Sequence, residues 1–506
     1  MKVAFVNDFS IQLGVQSISS VLKSSGHQTK LFMDPLLFDD DVITLRRLNR
    51  RLDFKKFIIR QLKEYKPDII GISVVTDFYY WACEIAQLIK QHMDVPIIFG
   101  GIHPSSVPER VIKKIFVDMI CVGEGEYPML ELVNSMAKGE IDYSIKNIWF
   151  KKNGRVIKNE IRPLIKDLDS LPLLDKDIFF SVSPHYIRTY PYIIMTTRGC
   201  PHACSYCCHS YLKGLYKGKG DYLRQRSVKN VIQELSYSKA KYSIKNVVFL
   251  DDCFAHNKNW FKEFINEYKE NIGLNYLCVM HPDDITREVL KLLKFSGCKG
   301  IFLGVQSWNE KIRSDLLKRN TPDYILKKAI NMAQETGIDI MVDNIFDLPG
   351  LTSQDVLDSA RIYSQLKPTR IYYYMLRYYP NTQITRRAYK EGWISLKRHE
   401  EILEGINAQS FAMGGDLVNE ASVKYQLMFS LIDLIPKKIS GFMVTKKIYK
   451  KFPRFFNAPL IMILRNILAR DLNARLLRKS SFHRYFYFIF SKIRLELKYL
   501  FSNNWI

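Results

Sequence analysis

Between Thr196 and Ser210 the sequence reads TTRGCPHACSYCCHS, which puts Cys200, Cys204, Cys207 and Cys208, four of the chain's nine cysteines, within nine positions. Thiols this close together can form a disulfide, hold zinc, or carry an iron–sulfur cluster. The disulfide is disfavoured, because the cysteine count is odd and the cysteines are clustered. The first residues, MKVAFVNDFS, also lack the basic start and long apolar run of a secretory signal. A reduced, cytoplasmic setting is expected, where neighbouring cysteines usually ligate metal or do redox work. Zinc is the serious rival, since His209 could complete a tetrahedral set with the thiolates. Zinc modules usually bring a second close-spaced pair, however, and Cys253, Cys278 and Cys298 stand alone near β-prone runs, as small buried hydrophobes do. Three thiolates on a four-iron cluster would leave one iron open to the amino and carboxylate groups of a substrate.

Such a loop needs a scaffold, and a chain of 506 residues is long enough for two to four domains. Strand-like runs at 192–197, 246–252, 274–280, 299–305, 338–346 and 370–376 alternate with helical patterns. Six β/α units predict a partial TIM-like barrel, with the cysteines directly after its first strand, at the carboxyl end where barrel active sites lie. Upstream, runs at 2–7, 27–33, 68–74, 96–101 and 118–126 predict a Rossmann-like parallel α/β sheet. Its strand ends, near Asn7 to Phe9, Ser73 to Thr76, Gly100 to Pro104 and Gly123 to Glu126, would line one crevice. Glycines 100, 101, 123 and 125 allow close backbone approach to a bulky ligand, and Glu124 and Glu126 could cap the following helix. No Gly-x-Gly-x2-Gly follows the first strand, so a dinucleotide site has little support. Residues 147–159 read as a hairpin turning at Asn153-Gly154, and 165–177 as an irregular connection. The expected organisation is an α/β domain over 1–140, a hairpin and linker over 141–185, the barrel over 186–394 and a helical, basic region over 395–506.

The segment GCPHACSYCC, a Cys-x3-Cys-x2-Cys spacing with Tyr206 before the third cysteine, resembles the signature of the radical S-adenosylmethionine (SAM) superfamily. The resemblance implies a 4Fe-4S cluster on Cys200, Cys204 and Cys207, with Cys208 outside the set because a fourth ligand would block the open iron. FLDDCF (249–254) resembles the family's acidic segment after the second strand, which implies Asp251 and Asp252, with Tyr206, near SAM. In the absence of that resemblance, an acidic pair after a strand reads as a helix cap. Gln306 in LGVQS falls where many relatives carry a glutamate on the SAM amino group; glutamine offers a carbonyl acceptor without the charge. IFDLPGLT (345–352) resembles the segment after the fifth strand, departing from it at Asp347 and Leu351.

Upstream, LGVQSISSVLKSSGHQT (13–29), GGIHPS (100–105) and VGEGEYP (122–128) resemble the cobalamin-binding domain that precedes such barrels. That implies cobalamin contacts from Asp8, Gly14, Ser73, Thr76, Gly100, Gly101, His103, Gly123, Glu124 and Gly125. VNDFSIQLG offers no histidine to cobalt after the first strand, and His103 is the nearest alternative. The rival for this domain is a Rossmann-like fold that binds nothing.

The formal net charge is +24, and residues 436–506 alone carry sixteen Lys/Arg against Asp471 and Glu496, or +14. Residues 457–479 place Leu460, Leu464, Ile467, Leu468, Leu472 and Leu476 on one helical face, and the following SFHRYFYFIFSKIRLELKYLF adds aromatics. Packing on the chain's own barrel is the first reading of this tail, and peripheral membrane contact the second. Nucleic acid comes last, because the tail is too apolar. No stretch is long enough to span a membrane, since even APLIMIL stops at Arg465.

The expected enzyme cleaves SAM to methionine and a 5′-deoxyadenosyl radical, then modifies an unactivated carbon of a small-molecule or lipid-like substrate, by methyl transfer in the first reading. Its electron donor would be a flavodoxin or ferredoxin. Oxidative cyclisation is the alternative. Methylthio transfer is less favoured, because only Cys83 and Cys121 could serve an upstream cluster. The rival from another class is a zinc-stabilised basic binding module.

Overall fold

The run KVAFVND is apolar at most of its positions, which suits a strand buried on both faces, and it forms β1 (Lys2–Asp8), an interior strand of the first sheet. In the computed structural model, residues 1–38, 48–49, 52–406, 420–451, 467–469 and 471–500 are described. β2 (Gln28–Asp34), β3 (Ile69–Ser73), β4 (Ile97–Gly100) and β5 (Met119–Cys121) join β1 in the order β2-β1-β3-β4-β5, all parallel. The strand order reverses between β1 and β3, so a crevice opens there at the carboxyl ends.

The hairpin assigned to the linker belongs instead to this sheet. β6 (Ile148–Lys152) pairs antiparallel with β5, and β7 (Arg155–Ile157) with β6. Asn153 (φ 49°) and Gly154 (φ 73°) make the left-handed turn a two-residue hairpin needs. Ile148 and Phe150 are buried in the same apolar cluster as Met119 and Cys121 of β5.

The second sheet runs β8 (Tyr192–Ile194), β11 (Asn246–Phe249), β12 (Asn275–Met280), β13 (Cys298–Gln306), β14 (Asp339–Phe346) and β15 (Arg370–Met375) in sequence order, all parallel. β9 (Thr197–Arg198) and β10 (Arg224–Gln225) form a small antiparallel pair after the first of these strands. Helices pack outside through apolar stripes such as Val228, Val231 and Leu235, and that helix starts where the Ser227 hydroxyl accepts from Asn230 N. Inside, Val248, Leu277 and Met341 form a closed layer with Phe302 and Tyr372.

The tail is fastened at the start and along the middle of its described helix, Leu472–Leu500. Arg370 and Asp471 form an ion pair of 2.9 Å with both side chains 2% exposed, and Leu472 packs on the inner barrel layer. Farther along, Phe488 is buried in the core of the first domain, and the Arg484 guanidinium lies 4.4 Å from the Phe9 ring. The apolar face expected over 457–479 is not one continuous helix. Leu460 and Leu464 lie outside the described residues, and Ile467 and Leu468 are exposed. Asp471 accepts from Ala474 N and starts a new helix there. Among the described residues no helix is long and apolar enough to cross a membrane.

Candidate active site

The cysteine loop leaves the barrel through a buckle. Asp251 Oδ1 accepts the backbone N–H and the hydroxyl of both Thr196 and Thr197, at 2.6 to 2.9 Å. Burial pushes this carboxyl's pKa up, and the four bonds oppose the rise. Asp251 is wholly buried and through Oδ1 ties the end of β11 to the end of β8, while its Oδ2 has no protein partner. Gly199 then turns the chain at φ 91°, where a Cβ would sit 2.1 Å from the Tyr222 carbonyl oxygen, so only glycine fits. Beyond it the Lys213 ammonium donates to the carbonyls of Pro201 and His202, and Ser205 N donates to Leu317 O. These bonds hold the loop that carries Cys200, Cys204 and Cys207 at the carboxyl end of the barrel, ahead of the helix His209–Leu215.

Cys207, Cys208 and His209 have ligand atoms within 4.8 Å of one another, the arrangement a zinc reading would use. His209, however, is already committed. Its Nδ1 is 2.6 Å from the Tyr222 hydroxyl and its Nε2 is 2.9 Å from Asp252 Oδ2. Against burial, Asp252 favours the protonated ring, and an imidazolium has two N–H donors and no lone pair for a metal. The donor set left on the loop is thiolate, which suits an iron–sulfur cluster.

Across the barrel mouth lies a cation that sequence reasoning missed. Arg319 follows a single π-helical turn, Ile312–Leu316, and extends one nitrogen to 3.7 Å from Cys204 Sγ and another to Gly304 O at 2.9 Å. Gln306, at φ 66°, ends β13 at a register break and folds over Gly304, where a Cβ would lie 2.5 Å from its Nε2. Tyr206 is packed beside Arg319 and Cys204, and burial pushes its phenol up. Asp343, opposite Gly304 in register, has its carboxyl pushed up to about 7 by burial, against the pull of Arg319. Its signal in the sequence was an acidic residue two positions from Met341, on the inward face of a buried strand.

The second part of the site is a cavity of about 350 Å³ at the crevice of the first sheet. Gly14, Ser73, Gly100, Gly101, Gly123, Glu124 and Gly125 line it. Leu168, Leu171, Pro172 and Leu174, from the segment read as linker, form another wall, and Arg198 and Arg226 reach in from the barrel. Asp8, Thr76 and His103 do not line it. His103 is fully buried, with its ring 4.0 Å from that of Tyr79 and its Nδ1 3.2 Å from the Thr76 hydroxyl. Burial lowers its pKa to about 3, so the ring stays neutral. Asn7 Oδ1, Asp8 Oδ2, Gln12 Oε1 and His103 Nε2 are buried without a protein partner around these strand ends. None of these four residues lines the cavity. The cavity's apolar floor, with glycines along its rim that let a bulky ligand approach the backbone closely, fits cobalamin.

Glu124 and Glu126 make no side-chain cap on the helix Glu126–Ala137. They join the two halves of the site instead. Arg198, two residues before Cys200, pairs with Glu124 at 3.0 Å and Glu126 at 2.5 Å. Arg224 pairs with Glu124 at 2.9 Å, Ile165 N donates to Glu124 at 2.9 Å, and the Ser17 hydroxyl donates to Glu126 at 2.8 Å. Burial alone would raise the Glu126 carboxyl, but Arg198 and Ser17 hold it below its usual value. From beyond the cysteines, the Tyr216 hydroxyl accepts from Glu124 N, and the Tyr211 hydroxyl donates to Ser105 O. Asp77 receives both Arg377 and the Tyr379 hydroxyl from the loop after β15. Both glycine loops of the first domain are thus gripped by residues flanking the cysteines.

Residues 194–362 match the radical SAM superfamily, and residues 4–133 match the B12 binding domain. An uncharacterized methyltransferase of Pyrococcus horikoshii is 29% identical over 350 residues, covering 68% of this chain and 74% of that protein. The anaerobic magnesium-protoporphyrin IX monomethyl ester cyclase of Rubrivivax gelatinosus is 24% identical over 367 residues, 70% of this chain and 62% of the cyclase. Among solved structures, the cobalamin-dependent radical enzyme OxsB with aqua-cobalamin bound superposes with a TM-score of 0.66 at 18% identity, over 95% of this chain and 83% of OxsB. The methyltransferase TsrM of Kitasatospora setae, with cobalamin and a [4Fe-4S] cluster, gives 0.61 at 19% identity, over 77% of this chain and 78% of TsrM. The two matched regions imply a 4Fe-4S cluster with SAM at the barrel and cobalamin in the first domain. With its cysteine loop at the barrel mouth and a B12 binding domain ahead of it, the chain belongs to the radical SAM superfamily.

Proposed function

We propose that this enzyme transfers a methyl group to an unactivated carbon of a small-molecule substrate. The observation that carries the reading is the shared wall: Arg198 lines the cavity, pairs with Glu124 and Glu126 across it, and leads directly into the cysteine loop. A ligand in the cavity and a group on the cysteines are then held by one set of side chains. The Pyrococcus relative supports methyl transfer by its name. When bound, the cluster supplies the electron that cleaves SAM, and cobalamin supplies a carrier for the methyl group.

The chain's own residues have distinct tasks in this reading. Cys200, Cys204 and Cys207 would hold the cluster, with Cys208 outside the set. The planar fork of the Arg319 guanidinium matches the SAM carboxylate, and Gln306 beside it offers its carbonyl to the amino group. Asp252 is oriented by His209, and Tyr206 packs beside Cys204 and Arg319. Asp251 acts at a distance, by setting where the loop departs. Asp343, with its carboxyl pushed up to about 7, can exchange a proton or a hydrogen bond with substrate near neutral pH. An external one-electron donor of the flavodoxin or ferredoxin kind is required.

Anaerobic reconstitution with iron, sulfide and hydroxocobalamin, followed by incubation with methyl-labelled SAM and cell metabolites, tests this. The expected result is cluster-dependent SAM cleavage with label in a low-mass product. An unlabelled product alongside 5′-deoxyadenosine would favour cyclisation, the activity named for the Rubrivivax relative. Stoichiometric zinc without SAM cleavage would overturn the proposal.

A further inference from the structure

The tail helix Leu472–Leu500 has two faces of opposite character, and the fold uses one of them. Ala474, Ser480, Arg484, Phe488 and Lys492 are buried. At about 100° per residue, they occupy one side of the helix, and Phe482, Phe486, Phe490 and Ile493 fall within an arc of about 80° on the opposite side. These four are 62%, 50%, 62% and 47% exposed, and the rings follow one another at 4.6 and 5.9 Å. Single exposed hydrophobes are ordinary, but a continuous stripe of large ones marks an interaction surface. Arg475 and Lys479 prolong the stripe toward the start of the helix, His483 and Arg494 flank it, and all four are exposed.

We infer that this face seats the protein on an anionic phospholipid surface. The phenylalanine and isoleucine side chains enter the boundary between headgroups and acyl chains, and the basic residues meet the phosphates. The inference concerns where the enzyme works and stands independently of the reaction proposed above.

Charge selects this occupant. Residues 436–506 carry +14, so two-fold self-association through the stripe would bring two strongly basic tails together. Nucleic acid would answer the charge but leave the apolar stripe against phosphates. An anionic bilayer satisfies both halves of the pattern, and the opposite face, anchored through Phe488, keeps the helix parallel to the protein surface.

The test is co-sedimentation of the full-length protein with sucrose-loaded vesicles of phosphatidylcholine alone and of phosphatidylcholine mixed with phosphatidylglycerol. We expect roughly tenfold or more stronger partitioning to the anionic vesicles, weakened by salt. The triple variant F482S/F486S/F490S should lose this binding while keeping the wild-type melting profile. R475E/K479E, which leaves the stripe intact, should lose the preference for phosphatidylglycerol and serves if the triple variant does not fold. Absence of wild-type binding to anionic vesicles, or equal binding by the variants, overturns the inference. So does a stripe variant that changes only a monomer–dimer equilibrium, because the stripe would then seat a second copy.

Discussion

Replacing Arg198 with methionine would keep most of the side chain's length and remove its donors to Glu124 and Glu126, at 3.0 and 2.5 Å. Glu124 would keep Arg224 and Ile165 N, whereas Glu126, with a side chain 4% exposed, would keep the Ser17 hydroxyl and its own backbone N–H but no cation. Removing one partner of a buried pair costs about 3–5 kcal/mol. Because the Arg198 side chain is 27% exposed, solvent screens part of the pair and the lower end, about 3 kcal/mol, applies. For a domain of this size that corresponds to a fall of roughly 6–12 °C in the melting transition of the B12 binding domain.

The deficit should depend on pH, with a definite sign. In the wild type the Glu126 carboxyl is held below its unfolded value, so its contribution is present above that value and is lost as pH falls through the folded one. Without Arg198 burial wins and the carboxyl rises above its unfolded value, so protonation favours the folded state and stability returns as pH falls. Anaerobic calorimetry of cluster-free protein at about pH 7.5 and about pH 5.5 should show a large deficit that shrinks at the lower pH. R198M/E126Q should recover part of the loss at the higher pH, because no buried charge is left alone. A deficit of equal size at both values, or none, would refute the reasoning.

Three further outcomes follow from the site. Alanine at Cys200, Cys204 or Cys207 should abolish iron retention after reconstitution, whereas Cys208→Ala should retain the cluster absorbance. Gly123→Ala would place a Cβ 1.9 Å from the Tyr216 hydroxyl, at φ 86°, so hydroxocobalamin binding measured by titration should fall, and Tyr216→Phe should relieve part of the clash. Arg319→Met should weaken SAM binding roughly tenfold or more in equilibrium titrations, with iron content preserved, because a charge-assisted bond is lost while all three cysteines remain.

Much of the scaffold was legible because its signals are local. Alternating and continuous apolar runs lie close to the strands of both sheets, and Asn153-Gly154 marked a hairpin that formed. The hairpin's destination was not legible, since the same two strands could cover a linker or extend a sheet. Only the unpaired edge of β5 decides between those outcomes. The acidic pairs failed as caps for a related reason. A carboxylate after a strand can bond the next helix or a distant partner, and the sequence does not say which will be near.

What the sequence determined by itself is the order of the α/β units, the placement of the cysteine loop after a barrel strand, and the spacing of its thiols. Each depends on residues a few positions apart. What the tertiary structure decided is how the parts meet. Glu124 and Glu126 found Arg198 from 74 and 72 residues away, Asp251 buckled two strands through Thr196 and Thr197, and the supposed linker became a cavity wall. It also decided which side of the tail helix is covered, leaving Phe482, Phe486 and Phe490 exposed. The physical reason is the same throughout: periodicity and spacing act along the chain, whereas the partner of a buried charge or an apolar face is whatever surface the fold brings beside it.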